Sequence, residues 1–271
     1  FALVVTKTRG ADNTNVTEMQ VFGTPAPSGL EDGHLTLGKA LTLPRVSGHA
    51  AGAETPRAES LVVHYDTTVD SVVSGTTVVD VSGNGINGTL TNGATYSSTD
   101  RALAFDGTDD YIIGNLNNSG DTPFTVSLWL KTDASGVAQM LWNLGGSGGT
   151  GNPEDSVALE INSSNDLDFF IYSGTVERVS SFGTTYLNKW VHVVATRSGN
   201  TLKIYFDGTQ QTTATVSSTD TLSLAANTEF TIGARGTGQL GDNPLNGSIS
   251  NFKLYDVALT AEEVAMEYAL G

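Results

Sequence analysis

Short stretches in which apolar and polar residues alternate run through the chain from residue 61 onward, separated by turns rich in glycine, asparagine and aspartate. Alternation of this kind is typical of half-buried β-strands, and many short strands with regular turns are typical of a sandwich or jelly roll. The predicted strands are 61–65, 102–105, 124–131, 157–161, 167–172, 190–196, 202–206, 229–233 and 248–255. The pattern therefore predicts an all-β fold made of antiparallel strands over residues 61–271.

One short helix is predicted at the end of the chain. Thr260 is followed three residues later by Glu263, which is the pattern of a capping box. The apolar residues Val264, Met266 and Tyr268 come next. We expect a helix that begins after Thr260.

The first 60 residues do not follow the same pattern. Residues 1–23 contain two strand-like runs around a polar turn, and we interpret them as a β-hairpin remnant of an upstream domain. Residues 24–60 begin with a proline-containing stretch and are interpreted as a linker or extended arm.

Within this arm, alternate positions carry a stripe of leucines: Leu35, Leu37, Leu41 and Leu43. A single strand has no second layer in which to bury such a stripe. Two arrangements remain open. Residues 30–45 build an oligomeric stalk, as a trimer of this chain, or they lie along an apolar groove of their own sandwich.

Composition narrows the function classes. The chain has 13 Lys and Arg against 29 Asp and Glu, a net charge of −16, which disfavours binding to nucleic acid. It has no cysteine, so a disulfide framework, a thiolate zinc site and a cysteine nucleophile are excluded. No apolar run of about 18 residues occurs, so we predict no membrane insertion.

Several sequence blocks, in order, resemble a known family. They are DVSGNGINGTL at 80–90, AFDGTDDYI at 104–112, FTVSLWLK at 124–131, KWVHVVA at 189–195, LKIYFDG at 202–208 and LNGSISNFKLY at 245–255, closed by LTAEEV at 259–264. Together they are similar to the LamG-like jelly rolls of the concanavalin A-like lectin/glucanase superfamily. The resemblance implies two antiparallel sheets packed face to face, and binding or scaffold roles more often than catalysis. Residues 1–23 resemble, more weakly, the last strands of a discoidin-like domain.

Four residues are candidate ligands for a structural Ca²⁺: Asp80, Asn84, Asp109 and Asp110. Hard cations need several oxygen ligands, which aspartate side chains and glycine-rich turns supply. The resemblance also implies calcium, which is common in this family. The alternative is an Asx-turn loop in which Asp80 and Asn84 bond to their own backbone.

A ligand site is expected where long glycine-rich loops leave the sandwich, because such loops on a rigid scaffold often carry function. Trp142 and Asn143 precede one of these loops, and we expect the indole of Trp142 to face a groove. Asp155, Arg235 and Asp242 complete the candidate set, since their side chains can hydrogen-bond a glycan. The alternative is that these are plain disordered loops.

We predict that the chain is not an enzyme. Glycosidases need two carboxylates at the cleaved bond, whereas the strand at 157–162 carries only Glu160. The sequence therefore predicts a non-enzymatic carbohydrate-binding or adhesion module, displayed extracellularly or on a virion surface, with glycans or surface proteins as partners. The alternatives are a structural component of a virion fibre or capsid surface, and a polysaccharide-cleaving enzyme.

Overall fold

The computed structural model describes residues 2–5, 19–22, 55–116, 123–145, 156–172, 176–181, 186–215, 228–235 and 242–271. The chain divides into two units, Phe1–Pro44 and Arg45–Gly271. In the first unit, β1 (Ala2–Val5) pairs antiparallel with β2 (Met19–Phe22). The leucine stripe and the proposed trimer segment at 30–45 lie outside the described residues, and the boundaries at 23 and 60 stay predictions.

Two antiparallel sheets form the described part of the second unit. Sheet I has eight strands and sheet II has nine, all numbered in chain order with the residue ranges given below. The order in sheet I is β17-β16-β15-β10-β19-β8-β7, with β3 also paired to β19. The order in sheet II is β14-β13-β12-β11-β18-β9-β6-β5-β4. The strands of sheet I are β3 (Leu61–Tyr65), β7 (Thr95–Ser97), β8 (Ala102–Asp106), β10 (Phe124–Thr132), β15 (Val191–Ser198), β16 (Thr201–Phe206), β17 (Thr209–Thr215) and β19 (Asn246–Tyr255). Those of sheet II are β4 (Val73–Ser74), β5 (Thr77–Val78), β6 (Gly88–Thr91), β9 (Tyr111–Leu116), β11 (Gln139–Gly145), β12 (Ser156–Ile161), β13 (Leu167–Tyr172), β14 (Val176–Ser181) and β18 (Thr228–Ile232).

The core lies between the two sheets and follows the alternation of each strand. On β10, Val126, Leu128 and Leu130 are buried in the main apolar cluster, so the residues between them belong to the outer face of sheet I. Each of the nine predicted strands coincides with an observed one, within one or two residues at either end. The predicted two-sheet jelly-roll sandwich is therefore confirmed.

The C-terminal helix, α1 (Ala261–Leu270), begins at the predicted capping box. Thr260 Oγ1 accepts a hydrogen bond from the Glu263 backbone N–H at 3.2 Å, and the Thr260 N–H donates to Glu263 Oε2 at 2.8 Å. Val264 packs in an apolar cluster with Val194 and Tyr255, which lie on the outer face of sheet I. Two 3₁₀ turns, Ala58–Ser60 and Asp70–Val72, flank β3.

Beneath α1 lies a buried ion pair. Lys253 Nζ contacts Glu267 Oε2 at 2.8 Å, and the Tyr255 hydroxyl donates to Glu267 Oε1 at 2.7 Å. Both charged side chains are almost fully buried, with 6% and 2% exposed. The helix therefore covers the outer face of sheet I with both apolar and ionic contacts. Among the described residues, no helix is long and apolar enough to cross a membrane.

Candidate functional site

The outer face of sheet II carries polar side chains on four neighbouring strands, around a small buried apolar cluster of Met140, Ala158 and Phe170. On β12, Val157, Leu159 and Ile161 belong to the core, so Glu160 belongs to the outer face. The register places Asp168 of β13 directly opposite Glu160. We call the residues Asn143, Glu160, Asp168 and Arg178 the outer polar face.

Asp168 is the most deeply buried member of this group. Its Oδ2 accepts hydrogen bonds from Asn162 Nδ2 at 3.0 Å and from Arg178 Nη1 at 3.2 Å. The Asp168 side chain is 0% exposed, whereas that of Arg178 is 52% exposed. Asp168 Oδ1 is buried without a hydrogen-bond partner among the described residues. The carboxylate thus anchors a guanidinium that reaches the surface.

Glu160 is half-buried beside that carboxylate. Burial raises the pKa of Glu160 above its ordinary value, and the charge of Asp168 raises it further. The charges of Arg235 and Arg178 and a hydrogen bond with Asn243 act in the opposite direction. Two carboxyl groups and two guanidinium groups therefore influence one another on this face.

The loop after β18 contributes the remaining polar groups. The Arg235 N–H donates to the Asp242 carbonyl at 3.1 Å, and the Met140 N–H donates to the Asn243 carbonyl at 2.7 Å. These bonds hold both described ends of the loop at β11, the strand next to β12. The structure thus brings the half-buried Arg235 close enough to Glu160 for their charges to interact, and it bonds the backbone of the exposed Asp242 to Arg235.

The expectation for Trp142 was wrong, and that for Asn143 needs correction. A register shift between Met140 and Trp142 on β11 lets Trp142 join the core. The indole is 0% exposed and lies 5.9 Å from the ring of Phe124. Asn143 lies on the outer face but is only 4% exposed, and its Nδ2 donates to the Val157 carbonyl at 3.0 Å. Asp155 lies outside the described residues.

Asp80 forms the Asx-turn alternative, whereas the Asn84 side chain bonds to β3 and not to its own backbone. Asp80 Oδ1 accepts from the backbone N–H groups of His64 and Ser82, and Oδ2 accepts from Ser82 Oγ and the Ile86 N–H, all at 2.8–2.9 Å. Asn84 Nδ2 donates to the carbonyls of Leu61 and Val62, at 2.8 and 3.0 Å. Because all four lone-pair positions of the Asp80 carboxylate are used, the residue does not fit the role of a calcium ligand.

Asp109 and Asp110 fit a cation better, together with Asp106, which the sequence reasoning did not select. Ligand oxygens of the three carboxylates lie within 4.8 Å of one another. Asp110 is 3% exposed, and one of its oxygens is buried without a partner among the described residues. Burial raises the pKa of Asp110, and the charges of Asp106 and Asp109 raise it further. In the sequence, the three aspartates lie at positions i, i+3 and i+4 of the block at 104–112, and this spacing could have identified the cluster.

Comparison with known proteins identifies a family model that matches the sequence and solved structures that share the fold. A family model described as the concanavalin A-like lectin/glucanases superfamily, Laminin_G_3, matches residues 105–265. Domain 4 of AbnA, a GH43 extracellular arabinanase from Geobacillus stearothermophilus solved with arabinotriose, has a TM-score of 0.60 and 21% identity over 78% of this chain and 98% of that one. No curated protein matches the sequence.

Toxin domains are also similar in structure. The receptor binding domain of botulinum neurotoxin D has a TM-score of 0.61 and 17% identity, over 78% of this chain and 53% of that one. The ligand binding domain of botulinum neurotoxin serotype D in complex with N-acetylneuraminic acid has a TM-score of 0.58 and 18% identity, over 78% and 51%. This chain therefore spans about half the length of the toxin domains that it matches.

Proposed function

Because the chain belongs to the concanavalin A-like lectin/glucanases superfamily, we propose that it is a non-catalytic carbohydrate-binding module that works outside the cell. Similar structures include an arabinanase domain solved with arabinotriose and a toxin domain solved with N-acetylneuraminic acid, which supports a glycan as the ligand. The extracellular arabinanase and the toxin domains also support the location.

The observation that carries the proposal is the difference between the two outer faces of the sandwich. Helix α1 occupies the outer face of sheet I. The outer face of sheet II instead presents Glu160 and the exposed guanidinium of Arg178. Tyr172 lies on the same face, because its neighbour Ile171 belongs to the core. The register places Tyr172 opposite Val176, two positions along the strands from Arg178, and polar groups with an aromatic ring on one face are elements that a sugar site uses.

Binding without catalysis is favoured by the state of the two carboxyl groups. Hydrolysis of a glycosidic bond requires an acid and a nucleophile or base that both reach the sugar. Asp168 is fully buried and bonded to Arg178 and Asn162, so Glu160 is the carboxyl group of the pair that a ligand reaches. Asp168 was not recognised from the sequence, yet its burial still favours binding without catalysis.

We also propose that Ca²⁺ binds at Asp106, Asp109 and Asp110. Three oxygen donors in an acidic chain suit a hard cation, and the unpartnered oxygen of Asp110 provides a buried ligand. When bound, the cation would neutralise the charge of these carboxylates and join the turn after β8 to the start of β9. The role is structural and does not involve the outer polar face.

A glycan array followed by titration calorimetry tests the proposed function. Arg178→Ala should weaken binding to any glycan hit at least about tenfold, which corresponds to about 1.4 kcal/mol. Glu262→Ala, an exposed change on α1, is the matched control and should leave the affinity unchanged. Absence of glycan binding at millimolar concentrations, or equal effects of both changes, would contradict the proposal. Release of reducing sugar that is lost in Glu160→Gln would contradict the non-catalytic part.

The virion-fibre alternative depends on residues 30–45, which lie outside the described residues. Native mass of the full chain tests it. A trimer converted to a monomer by Leu37→Asp with Leu41→Asp would support the stalk. If the wild-type chain is a monomer at tens of micromolar, residues 30–45 do not form a trimeric stalk.

A further inference from the structure

We infer that the glycan bound at the outer polar face is uncharged, with hydroxyl groups that donate to Glu160 and accept from Arg178, and that the face discriminates against sugars that carry a carboxylate. This inference rests on the proposed function and adds the class of ligand. Three features support it. The arginine side chains are paired with carboxylates, the face has hydrogen-bond acceptors that need donors, and the chain carries a net negative charge.

The cation at the surface is already compensated. Arg178 Nη1 lies 3.2 Å from Asp168 Oδ2, and the Asp168 side chain is 0% exposed. A guanidinium has five N–H donors, so Arg178 retains donors for sugar oxygens after this contact. An anionic sugar would therefore gain hydrogen bonds from Arg178 but would have to compete with Asp168 for its charge.

The acceptors of the face need donors. Glu160 and Asp168 stand opposite each other on neighbouring strands, an arrangement that is unfavourable for two like charges. Glu160 is the acceptor of this pair that a ligand reaches, because the Asp168 side chain is 0% exposed. A sugar hydroxyl can donate a hydrogen bond to Glu160. An ionised carboxylate has none to give and would add a third negative charge.

The field of the whole chain acts in the same direction. A net charge of −16 repels anions over the surface and slows their approach. Arg235 is the second cation near Glu160. Its charge stabilises the Glu160 carboxylate, so Arg235 is not an uncompensated cation. Within the described part of this face, the positive groups are thus matched by negative ones.

The test uses pairs of oligosaccharides that differ only in one carboxylate, such as a sialylated glycan and its carboxyl-reduced form, measured with the full chain by titration calorimetry. We expect the neutral member of each pair to bind at least about tenfold more tightly. Raising the salt concentration should narrow the ratio, because the repulsion is screened. Arabinotriose and N-acetylneuraminic acid serve as the smallest probes of the two classes.

Glu160→Gln, which keeps the shape and one acceptor, should lower the affinity for the neutral member several-fold and reduce the discrimination. Glu262→Gln on α1 removes the same charge from the other side of the sandwich and should leave the ratio unchanged. Thermal melts establish that both variants fold. Equal or tighter binding of the acidic member by the wild type would overturn the inference while leaving the glycan function intact. Lack of binding to either member of every pair would overturn the proposed function itself.

Discussion

Replacing Asp80 with asparagine distinguishes a hydrogen-bonded turn from a calcium ligand. The Asp80 carboxylate accepts four hydrogen bonds, from the His64, Ser82 and Ile86 backbone N–H groups and from Ser82 Oγ. In Asp80→Asn, one oxygen becomes an NH₂ group, whichever way the amide is oriented. Two accepted bonds are then lost, and the NH₂ group faces at least one backbone N–H. With the NH₂ at the Oδ2 position, Ser82 Oγ can accept from it and donate to the Val62 carbonyl instead.

The magnitude follows from the number and type of these bonds. A hydrogen bond to a charged group contributes about 1.5–3 kcal/mol, so two such bonds correspond to about 3–6 kcal/mol. Removing one negative charge from a chain of net charge −16 offsets part of this loss. We therefore expect the free energy of unfolding to fall by about 3 kcal/mol, which lowers Tm by about 6–12 °C.

Urea unfolding, repeated with EDTA and with calcium, measures this effect. If Asp80 acts through hydrogen bonds alone, the loss should be the same in both conditions, with an unchanged m value. The control is Asp109→Asn, an exposed aspartate of the proposed cation site, which should matter only when calcium is present. A loss for Asp80→Asn that disappears in EDTA would refute the hydrogen-bond reasoning and restore Asp80 as a calcium ligand.

The remaining predictions concern buried charges and the cation. Lys253→Met should destabilise the fold by about 3–5 kcal/mol in urea, because it leaves Glu267 buried without its cation; a loss below about 1 kcal/mol would contradict this. Millimolar calcium should raise Tm in the wild type and not in Asp110→Asn, and an unchanged melt together with no metal by elemental analysis would dismiss the cation. Burial, and next the charge of Lys253, lowers the pKa of His192 from 6.5 to about 3, so the unfolded chain binds a proton that the folded chain does not. The free energy of unfolding should therefore fall by about 1.4 kcal/mol per pH unit as the pH drops from the unfolded pKa of 6.5 towards about 3. His192→Gln should remove that part of the pH dependence. If the pH dependence is unchanged in His192→Gln, His192 is protonated in the folded chain.

Much of the fold was predictable because apolar alternation marks strands that are buried on one face. The strand predicted at 124–131 is observed as Phe124–Thr132, and the capping box at Thr260 begins α1. β14 (Val176–Ser181) and β17 (Thr209–Thr215) were missed, because both are edge strands and β17 is almost entirely polar. β11 was missed because a register shift interrupts its alternation.

The site was less predictable, since it depends on register between strands. Glu160 and Asp168 are eight positions apart and meet only because β12 and β13 pair in one register. Inspection of a single strand shows one carboxylate, which is how Asp168 was overlooked. Asp80 was assigned to a cation because aspartate oxygens suit cations and backbone N–H groups equally well. The donor from His64 becomes visible only when β3 is placed beside the turn.

The position of β19 in sheet I has a consequence for how the chain folds during synthesis. This strand lies near the C-terminus, yet it is the shared partner of β3, β8 and β10, which lie in the first half of the chain. Until residue 255 has left the ribosome, those three strands lack the neighbour that joins them. Contacts of such large sequence separation slow folding, and unpaired strand edges promote aggregation. A nascent or truncated chain without β19 should therefore depend on chaperones, whereas loss of β17 at the edge of the same sheet should leave the centre of that sheet intact.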